Sequence, residues 1–326
     1  MATTPDIAAL ATALRANPGL AAKADIGTAT RRLGLGGASA TPVGDDCAAI
    51  KDGDGFQLLA IEGFMNAFVE RDPWFAGWCA VMVNLSDVAA MGGRATAIVD
   101  AIWADGEANA IPILEGMRAA SERYGVPIVG GHTNNRTERS QLAAAILGRS
   151  KNLLTSFDAK PGDRLLVAVD LRGRYREPFS NWEAATAAPA GRLRGDLALL
   201  PEIAEAGLCR AAKDISQGGI VGTAAMLAEC SGVAIAIDVD TVPAPPDVAL
   251  ERWLTTFPSF GFLLSVPPKN VAPVTNRFTA RSIAIADCGA VTAGGAVTIC
   301  RGGDSAVIWE RAAGPLLGCG PQWVAA

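Results

Sequence analysis

The chain of 326 residues has little histidine, few aromatic residues and no concentrated positive charge. His132 is its one histidine, so a zinc site built from several histidines is excluded, and only this residue could serve a nucleophile as an imidazole base. Lysine and arginine number 28 against 33 acidic residues and form no dense run, so neither nucleic acid nor an anionic membrane is predicted as a partner. Any anion that the protein binds must be held by local geometry.

Disulfide pairs and long apolar runs are also missing from the sequence pattern. The seven cysteines are scattered and contain no C-x-x-C pair, which argues against a disulfide framework and a zinc knuckle and predicts a reducing cytoplasm as the location. No apolar run approaches the ~18 residues of a membrane span, and the N-terminus has no basic segment typical of a secretory signal. Apolar residues make up 50% of the chain and charged residues 19%, so disorder is excluded.

The length fits two domains of ~150 residues each. Segment 7–33 is alanine-rich and predicted to be helical, with breaks at Pro18 and Gly27, and a glycine-rich stretch follows it. Further on, strands are predicted at 56–62, 95–103, 126–131 and 141–148, and helices at 73–91, 107–124, 195–207 and 219–231. After a turn at Pro161 and Gly162, a polar, arginine-rich insertion covers 172–194, and strands then alternate with helices. We therefore predict an α+β protein of the α/β two-domain type, with domains 1–155 and 156–326.

Two acidic motifs lie in the first half of the chain. Asp45 and Asp46 follow the glycine turn at Gly44, and adjacent carboxylates repel each other unless a cation lies between them. A solvated turn explains the same residues. On the helix at 73–91, Asn84 and Asp87 share a face, and Asp87 falls in the last turn, where the helix dipole disfavours a carboxylate by roughly 0.3–1 kcal/mol. Either a nearby cation or exposure to water would remove that penalty.

A glycine pair ends the predicted strand at 126–131. Exposed N–H groups of a turn at Gly130 and Gly131 could form a nest for an anion, and Thr133 and Arg136 add donors suited to phosphate. A simple hairpin loop is the alternative interpretation. The coincidence of this motif with His132 favours a functional role.

A second glycine pair begins the helix at 219–231. Asp214 and Ser216 precede Gly218 and Gly219, and the N–H groups at a helix N-terminus bind phosphate readily. Ser216 could also act as the N-cap of this helix, which is compatible with phosphate binding. The sequence contains neither a G-x-x-x-x-G-K-[ST] loop nor the kinase loop set, so these two phosphate-binding classes are excluded.

Taken in order, the segments resemble the superfamily of aminoimidazole ribonucleotide (AIR) synthetase, thiamine-monophosphate kinase, selenophosphate synthetase and the hydrogenase-maturation carbamoyl dehydratase. The resemblance extends from about residue 40 to near the C-terminus and is greatest to an uncharacterised AIR synthase-related branch. The cysteine-containing glycine loop of selenophosphate synthetases is not evident. The segments that carry the resemblance are VGDDCAAI, NLSDVAAMGG, VGGHTNNR, AKPGDRLLVAV, KDISQGGIVGTAAMLAECSG, GFLLSV and IADCGAV.

This resemblance implies a homodimer whose N-terminal sheets pair into a β-barrel, next to a C-terminal α/β sandwich domain. It also implies ATP in a groove between that interface and the C-terminal domain, with Mg²⁺ held by carboxylates against the triphosphate. His132 and Arg136 are catalytic candidates, although phosphoryl transfer needs no covalent protein nucleophile. By motif position, the implied metal ligands are Asp45, Asp46, Glu62, Asp87 and Asp214. The implied nucleotide-binding residues are Gly44, Asn84, Gly130, Gly131, Thr133, Ser216, Gly218 and Gly219.

Two positions depart from the pattern of the superfamily. Glu62 stands where an aspartate is usual, and His132 occupies the place of the aspartate in G-G-D-T. Imidazole is a poor ligand for Mg²⁺, so the site loses one negative charge there. We predict an ATP- and Mg²⁺-dependent enzyme, similar to thiamine-monophosphate kinase or AIR synthase, that phosphorylates a small-molecule substrate or activates it by phosphorylation. A non-catalytic nucleotide-binding or scaffolding protein of the same fold is the alternative.

Overall fold

A computed structural model describes residues 6–35 and 41–320, so residues 36–40 of the predicted glycine-rich stretch lie outside the described residues. The chain forms two units that interleave along the sequence. The five-stranded unit contains Asp46–Leu153 and Ala185–Glu205. The seven-stranded unit contains Met1–Asp45, Leu154–Ala184 and Ala206–Ala326.

This division differs from the predicted domains 1–155 and 156–326 at two places. The first 45 residues belong with the second half of the chain, because the apolar face of the first helix is buried in the core of the seven-stranded unit through Ile7, Leu10 and Leu14. Residues 185–205 belong with the first half, because their helices pack on the two long helices of the five-stranded unit. Local sequence patterns do not reveal such long-range packing.

Helices and strands are mixed along the whole of the described chain. The α-helices are α1 (Ile7–Arg15), α2 (Pro18–Ala21), α3 (Ala24–Leu33), α4 (Asn66–Arg71), α5 (Pro73–Ala90), α6 (Glu107–Tyr124), α7 (Ala190–Leu197), α8 (Leu199–Glu205), α9 (Gly219–Ser231), α10 (Leu250–Leu254) and α11 (Val271–Thr279). The strands are β1 (Ala48–Asp52), β2 (Gly55–Gly63), β3 (Arg94–Asp105), β4 (Ile128–Asn134), β5 (Arg136–Ser150), β6 (Arg164–Val169), β7 (Arg174–Tyr175), β8 (Asn181–Glu183), β9 (Ala211–Asp214), β10 (Ala234–Asp238), β11 (Phe257–Pro258), β12 (Gly261–Val266), β13 (Ala284–Thr292), β14 (Ala296–Arg301) and β15 (Asp304–Glu310).

The five-stranded sheet has the order β1-β2-β5-β3-β4. Strands β3 and β4 are parallel and the other neighbours are antiparallel. Helix α5 packs against β2, β3 and β5. It begins at Pro73, whose fixed φ suits the first helical position, and the side chain of Asp72 accepts a hydrogen bond from the N–H of Phe75. All of its residues from Phe75 to Ala90 are buried, so α5 is the central helix of this unit.

The seven-stranded sheet has the order β15-β14-β10-β13-β6-β12-β9. Strand β12 is buried along its whole length, and β6 is buried from Leu165 onwards, which accounts for their continuous apolar sequences. Glu229 of α9 is fully buried and accepts hydrogen bonds from three consecutive backbone N–H groups, those of Leu316, Leu317 and Gly318. These three donors satisfy a carboxylate that would be costly to bury alone, and they join the last described residues to α9.

The arginine-rich insertion contributes β7 and β8 to a small three-stranded sheet of order β11-β8-β7 in the seven-stranded unit. Trp182 of β8 is buried and makes edge-on ring contacts with Tyr175 and Trp253. Trp182 is therefore a core residue of this unit. Among the described residues, no helix combines the length and the apolar content that crossing a bilayer requires.

Candidate functional site

Two carboxylates of the five-stranded unit meet where α5 ends. Asp87 is 5% exposed, Asp46 is half-buried just before β1, and each offers an oxygen within 4.8 Å of the other. Oxygens at this separation can bind the same divalent cation, because Mg²⁺ and Ca²⁺ prefer carboxylate oxygens. The pair consists of residues 41 positions apart that the sequence singled out as two separate motifs.

Asn84 lies one turn before Asp87 on α5 and is fully buried. Its Nδ2 donates to the carbonyl oxygens of Ala80, at 2.9 Å, and Ala144, at 3.1 Å. These two acceptors determine the orientation of the amide, since the reversed orientation would place Oδ1 against two carbonyl oxygens. Oδ1 finds no hydrogen-bond partner among the described residues. A buried amide oxygen of this kind fits a cation or a water molecule.

The strands beneath α5 add a row of residues that face the helix. Glu62 of β2 and Asp100 of β3 are both register partners of Ala144 on β5, and Asp100 is in turn the partner of Gly131 on β4. The side chains of direct register partners point to the same face of a sheet. The row across the sheet therefore consists of Glu62 on β2, Ala144 on β5, Asp100 on β3 and Gly131 on β4. Ala144 is buried, and Glu62 and Asp100 are half-buried.

Asp100 is a residue that the sequence reasoning missed. Burial raises the pKa of its carboxyl group. A Cβ at Gly131 would lie 2.6 Å from the carboxylate of Asp100, so the absence of a side chain at residue 131 provides the room for that carboxylate. The sequence contains one signal for Asp100, because an acidic residue in a mostly apolar predicted strand, 95–103, is costly to bury without a partner.

Gly130 and Gly131 lie in β4 and not in a turn, so the interpretation of this motif as a nest within a Gly-Gly turn is wrong. Pairing with β3 keeps the segment extended through Asn134. His132 is paired with Ala101, the residue after Asp100, so it points to the opposite face of the sheet from Asp100. It is exposed, and its ring lies 6.1 Å from that of Trp103.

Thr133 and Arg136 are exposed near the end of β4 and the start of β5. The backbone N–H of Arg136 donates to Oδ1 of Asn134 at 3.0 Å, which stabilises the tight connection between the two strands. Nucleotide binding by Gly130, Gly131 and Thr133, and catalysis by His132 or Arg136, stay predictions.

The Gly44–Asp45 turn lies in the seven-stranded unit. Both carboxylate oxygens of Asp45 accept from the backbone N–H of Ser156, at 3.0 and 3.1 Å, and one accepts from its hydroxyl at 2.7 Å. Gly44 has φ +120°, and a Cβ there would lie 2.6 Å from Cβ of Cys319, so glycine is needed for both conformation and space. Asp45 thus joins this turn to Ser156, and its predicted metal binding stays a prediction.

Asp214 ends β9 and is buried, and the turn after it leads into α9. The N-cap of α9 is Gly218, with φ +100°, and no side chain among the described residues caps the helix. Ser216 is therefore not the N-cap, and its hydroxyl accepts from Nζ of Lys23 at 3.2 Å. Gly19 of α2 packs on the N–H of Gly218, since a Cβ at Gly19 would lie 2.9 Å from that nitrogen. Metal binding by Asp214 and phosphate binding by Ser216, Gly218 and Gly219 stay predictions.

The donor set of the five-stranded unit fits the magnesium ion that the resemblance implies. The carboxylates of Asp46 and Asp87 and the amide oxygen of Asn84 are hard oxygen donors, and Mg²⁺ takes such ligands together with water and phosphate oxygens. Residues 84 and 87 lie on one helix at i and i+3, so the helix itself holds their spacing. Glu62, another predicted metal ligand, points to the same face of the sheet from β2.

A mixed sheet covered by α5, with acidic side chains between helix and strands, defines the chain as an α+β protein with a candidate cation-binding site. Residues 44–150 match the family described as "AIR synthase related protein, N-terminal domain", and residues 183–300 match "AIR synthase related protein, C-terminal domain". The chain therefore belongs to the AIR synthase-related family.

Curated relatives agree with this assignment. An uncharacterised protein of Synechocystis sp. is 45% identical over 92% of this chain and 94% of its own length. A thiamine-monophosphate kinase of Pyrococcus horikoshii is 28% identical over 73% of this chain and 81% of its own. A selenide, water dikinase of Sulfurovum sp. is 27% identical over 66% of this chain and 65% of its own.

Solved structures show the same fold. A ThiL protein complexed with AMPPCP and TMP superposes with a TM-score of 0.65 at 21% identity, over 83% of this chain and 91% of that one. PurL of T. maritima complexed with ATP superposes with a TM-score of 0.68 at 19% identity, over 86% of this chain and 46% of PurL. The chain thus corresponds in fold to nearly all of ThiL and to about half of PurL.

Proposed function

We propose that the protein is an ATP- and Mg²⁺-dependent enzyme that phosphorylates a small metabolite or activates it by phosphorylation. The observation that carries the proposal is the meeting of Asp46 and Asp87, whose carboxylate oxygens lie within 4.8 Å of each other. Carboxylate oxygens at this distance can ligate the same Mg²⁺ ion, and a triphosphate would supply further oxygen ligands.

The chemistry of phosphoryl transfer suits the residues of this chain. Negative charge on the transferring group is spread over its oxygens, so metal ions and N–H donors perform most of the catalysis. Asp46 and Asp87, with Oδ1 of Asn84, would hold Mg²⁺, which would neutralise phosphate charge. Asp214 and the N–H groups at Gly218 and Gly219 enter the proposal through their motif positions. No imidazole base is needed, in keeping with the single histidine.

Relatives support an ATP-dependent reaction without fixing the substrate. Two of the curated relatives are named as kinases, and the ThiL and PurL structures contain a nucleotide or an analogue of one. The acceptors of these proteins differ, so we propose a small-molecule acceptor of unspecified structure for this chain. The reaction is either transfer of the γ-phosphoryl group to the acceptor or activation of an oxygen that then leaves as phosphate.

The test is release of ADP by purified protein with Mg²⁺, ATP and a panel of phosphate acceptors. We expect acceptor-dependent ADP release, loss of it in Asp87→Asn, and retention of it in Asp105→Asn, an exposed acid at the end of β3. Binding of Mn²⁺ in the absence of nucleotide gives a second readout, and Asp87→Asn should weaken it. If the wild-type protein binds no nucleotide at millimolar ATP and Mg²⁺, the proposal is wrong.

A second candidate is a nucleotide-binding or scaffolding protein without turnover. The observation that favours it is His132, which takes the place of the aspartate in the G-G-D motif and points away from the face that carries Asp100. This candidate predicts tight nucleotide binding, no ADP release with any acceptor, and the appearance of ATPase activity in His132→Asp. Acceptor-dependent turnover by the wild-type protein would exclude it.

We also propose that the protein is a homodimer that pairs through the five-stranded sheet. The face of this sheet opposite α5 exposes several large apolar side chains, which is unusual for a surface in contact with water. Ile61 is 70% exposed and Val129 is 62% exposed. The other apolar side chains exposed on this sheet are Ile50, Leu59, Val99 and Leu147.

A further inference from the structure

Helices α2 and α3 are parts of the seven-stranded unit that the proposed function does not use. Both precede residue 44, so they lie outside the two segments that match the AIR synthase-related family. Together they span residues 18–33, which form the strap. Gly19 of the strap contacts the start of α9, and a Cβ at Gly27 would lie 2.6 Å from the carbonyl oxygen of Leu317. The strap therefore contacts α9 at one end and the C-terminal segment at the other.

The contact between α2 and the start of α9 is close. A Cβ at Gly19 would lie 2.9 Å from the backbone nitrogen of Gly218, the N-cap of α9. The side chain of Leu20, which is 7% exposed, packs on the first turn of α9. Nζ of Lys23 donates to Oγ of Ser216 at 3.2 Å. Backbone, apolar and polar contacts together hold the strap on this turn.

This contact covers N–H groups that the proposed function assigns to phosphate. The N–H of Gly219 already donates to the carbonyl oxygen of Ser216 at 2.9 Å. The nitrogen of Gly218 lies against Gly19, where the space is too small for a methyl group. A phosphate group is larger than a methyl group and has to bring an oxygen within about 3 Å of a donor nitrogen. The strap in this position therefore excludes phosphate from the side of the turn that α2 covers.

The strap is held less firmly than the helix that precedes it. Helix α1 buries four residues, and Ile7, Leu10 and Leu14 among them belong to the core of the seven-stranded unit. Helix α2 buries two residues, and α3 buries Gly27 alone, while Leu33 is 70% exposed. Segments with few buried apolar contacts open at a low cost in free energy. Helix α1 can therefore anchor the chain while the strap moves.

We propose that the strap is an autoinhibitory element, which covers the glycine turn at the start of α9 and has to move before a polyphosphate reaches Gly218. This regulation rests on the proposed function, which takes polyphosphate at this turn. Lys23 holds the strap closed through its hydrogen bond to Ser216. Nucleotide shifts the strap toward the open position, and the closed position lowers the apparent affinity for nucleotide.

The experiment measures ATP binding and amide hydrogen exchange in the full-length protein and in two variants. Gly19→Ala places a methyl group against the turn, and Lys23→Gln removes the contact with Ser216. We expect both variants to bind ATP with Mg²⁺ about 3–10-fold more tightly than the wild-type protein in calorimetric titrations, since a larger open fraction raises the apparent affinity. Amides of residues 18–33 should exchange faster in both variants, and unchanged exchange in α1 would show that the variants fold.

Gly191→Ala and Lys269→Gln are the matched controls. Residue 191 has open space at its Cβ position, and Lys269 is an exposed lysine of the seven-stranded unit. Neither change should alter the affinity for ATP or the exchange of the strap. If Gly19→Ala does not fold, Lys23→Gln decides by the same two measurements.

The proposal is overturned if Gly19→Ala exchanges faster in the strap and binds ATP no more tightly than the wild-type protein, or if exchange in the strap is unchanged. Weaker ATP binding by Lys23→Gln would assign Lys23 to the phosphate and would also overturn the proposal. Equal ATP binding by all the proteins contradicts the strap alone and leaves the proposed function intact. Absence of ATP binding in every one of them contradicts both.

Discussion

Adjacent acidic residues of this protein have different surroundings. Asp45 accepts three hydrogen bonds from Ser156, two from its backbone N–H and one from its hydroxyl. Asp46, the next residue, has a carboxylate oxygen within 4.8 Å of one on Asp87. Two residues that form one motif in the sequence therefore have different partners in the structure.

Asp45→Asn should therefore destabilise the fold, whereas Asp46→Asn should not. Hydrogen bonds to a charged acceptor contribute about 1.5–3 kcal/mol, and we expect a loss of that size in the free energy of unfolding for Asp45→Asn. Asp46→Asn should instead weaken Mn²⁺ binding. Urea denaturation and Mn²⁺ titration of the two variants measure both effects. Equal loss of stability in both would contradict this division of roles.

The buried thiols make the free energy of unfolding depend on pH. Burial raises the pKa of Cys209 to about 12, and its Sγ donates to the carbonyl oxygens of Ala211 and Ser265, both at 3.1 Å. A raised pKa in the folded state means that the unfolded chain loses the proton first. The contribution to stability is complete below the ordinary thiol pKa of about 8.5 and is lost as the pH rises toward 12.

We therefore expect the free energy of unfolding to fall above about pH 8.5. Each such thiol contributes up to about 1.4 kcal/mol per pH unit. Cys209→Ala should remove its share of this slope between pH 9 and pH 10.5, whatever it does to the stability at pH 7. Urea denaturation at a series of pH values measures the slope. An unchanged slope in the variant would show that Cys209 does not carry the effect.

At the level of elements, α5 and α6 approach each other closely enough that their backbones nearly touch. A Cβ at Gly116 of α6 would lie 1.9 Å from the carbonyl oxygen of Trp74, and one at Gly77 of α5 would lie 2.0 Å from that of Ile113. Glycine at both positions lets the helices pack at this distance. Because α5 carries Asn84 and Asp87, the helix crossing also positions the candidate site.

Gly116→Ala should destabilise the protein by about 1–3 kcal/mol, since the extra methyl group forces the helices apart. Gly191→Ala is the matched control, because it lies in α7 with open space around its Cβ position. There the change should stabilise the helix by up to about 1 kcal/mol. Thermal and urea denaturation measure both variants, and a neutral Gly116→Ala would mean that the crossing can relax.

On the scale of the whole molecule, the five-stranded sheet of the described chain exposes six large apolar side chains on the face opposite α5. Ile61→Asp places a charge on this face and should convert the proposed dimer to monomers, because burying an unpaired carboxylate is costly. Ile111→Asp, on the surface of α6 and 44% exposed, is the control and should leave the dimer intact. Sedimentation velocity at micromolar protein distinguishes the species, and a monomeric wild-type protein would refute the dimer.

Elements with strong local signals are predicted well from the sequence. The predicted helices at 107–124 and 219–231 have the same bounds as α6 and α9. Their C-terminal ends are predictable because Gly125 and Gly232 adopt the left-handed conformation that ends a helix. The interpretation of Gly130 and Gly131 as a turn is wrong, because pairing with β3 continues the strand through Asn134, and a local sequence does not reveal that pairing. Mixed α+β architecture, two units and the family are predictable from pattern and motif order.

The sequence by itself determined the helix ends, the strand segments and the acidic and glycine motifs, because each depends on side chains within a few residues. Only the tertiary structure decided which of these residues are neighbours. In the folded chain, carboxylate oxygens of Asp46 and Asp87 lie within 4.8 Å of each other, and Asp45 accepts hydrogen bonds from Ser156. Glu62 and Asp100 are both register partners of Ala144. Strand register and helix packing bring together residues tens to more than a hundred positions apart, and that information lies in the whole core rather than in any segment.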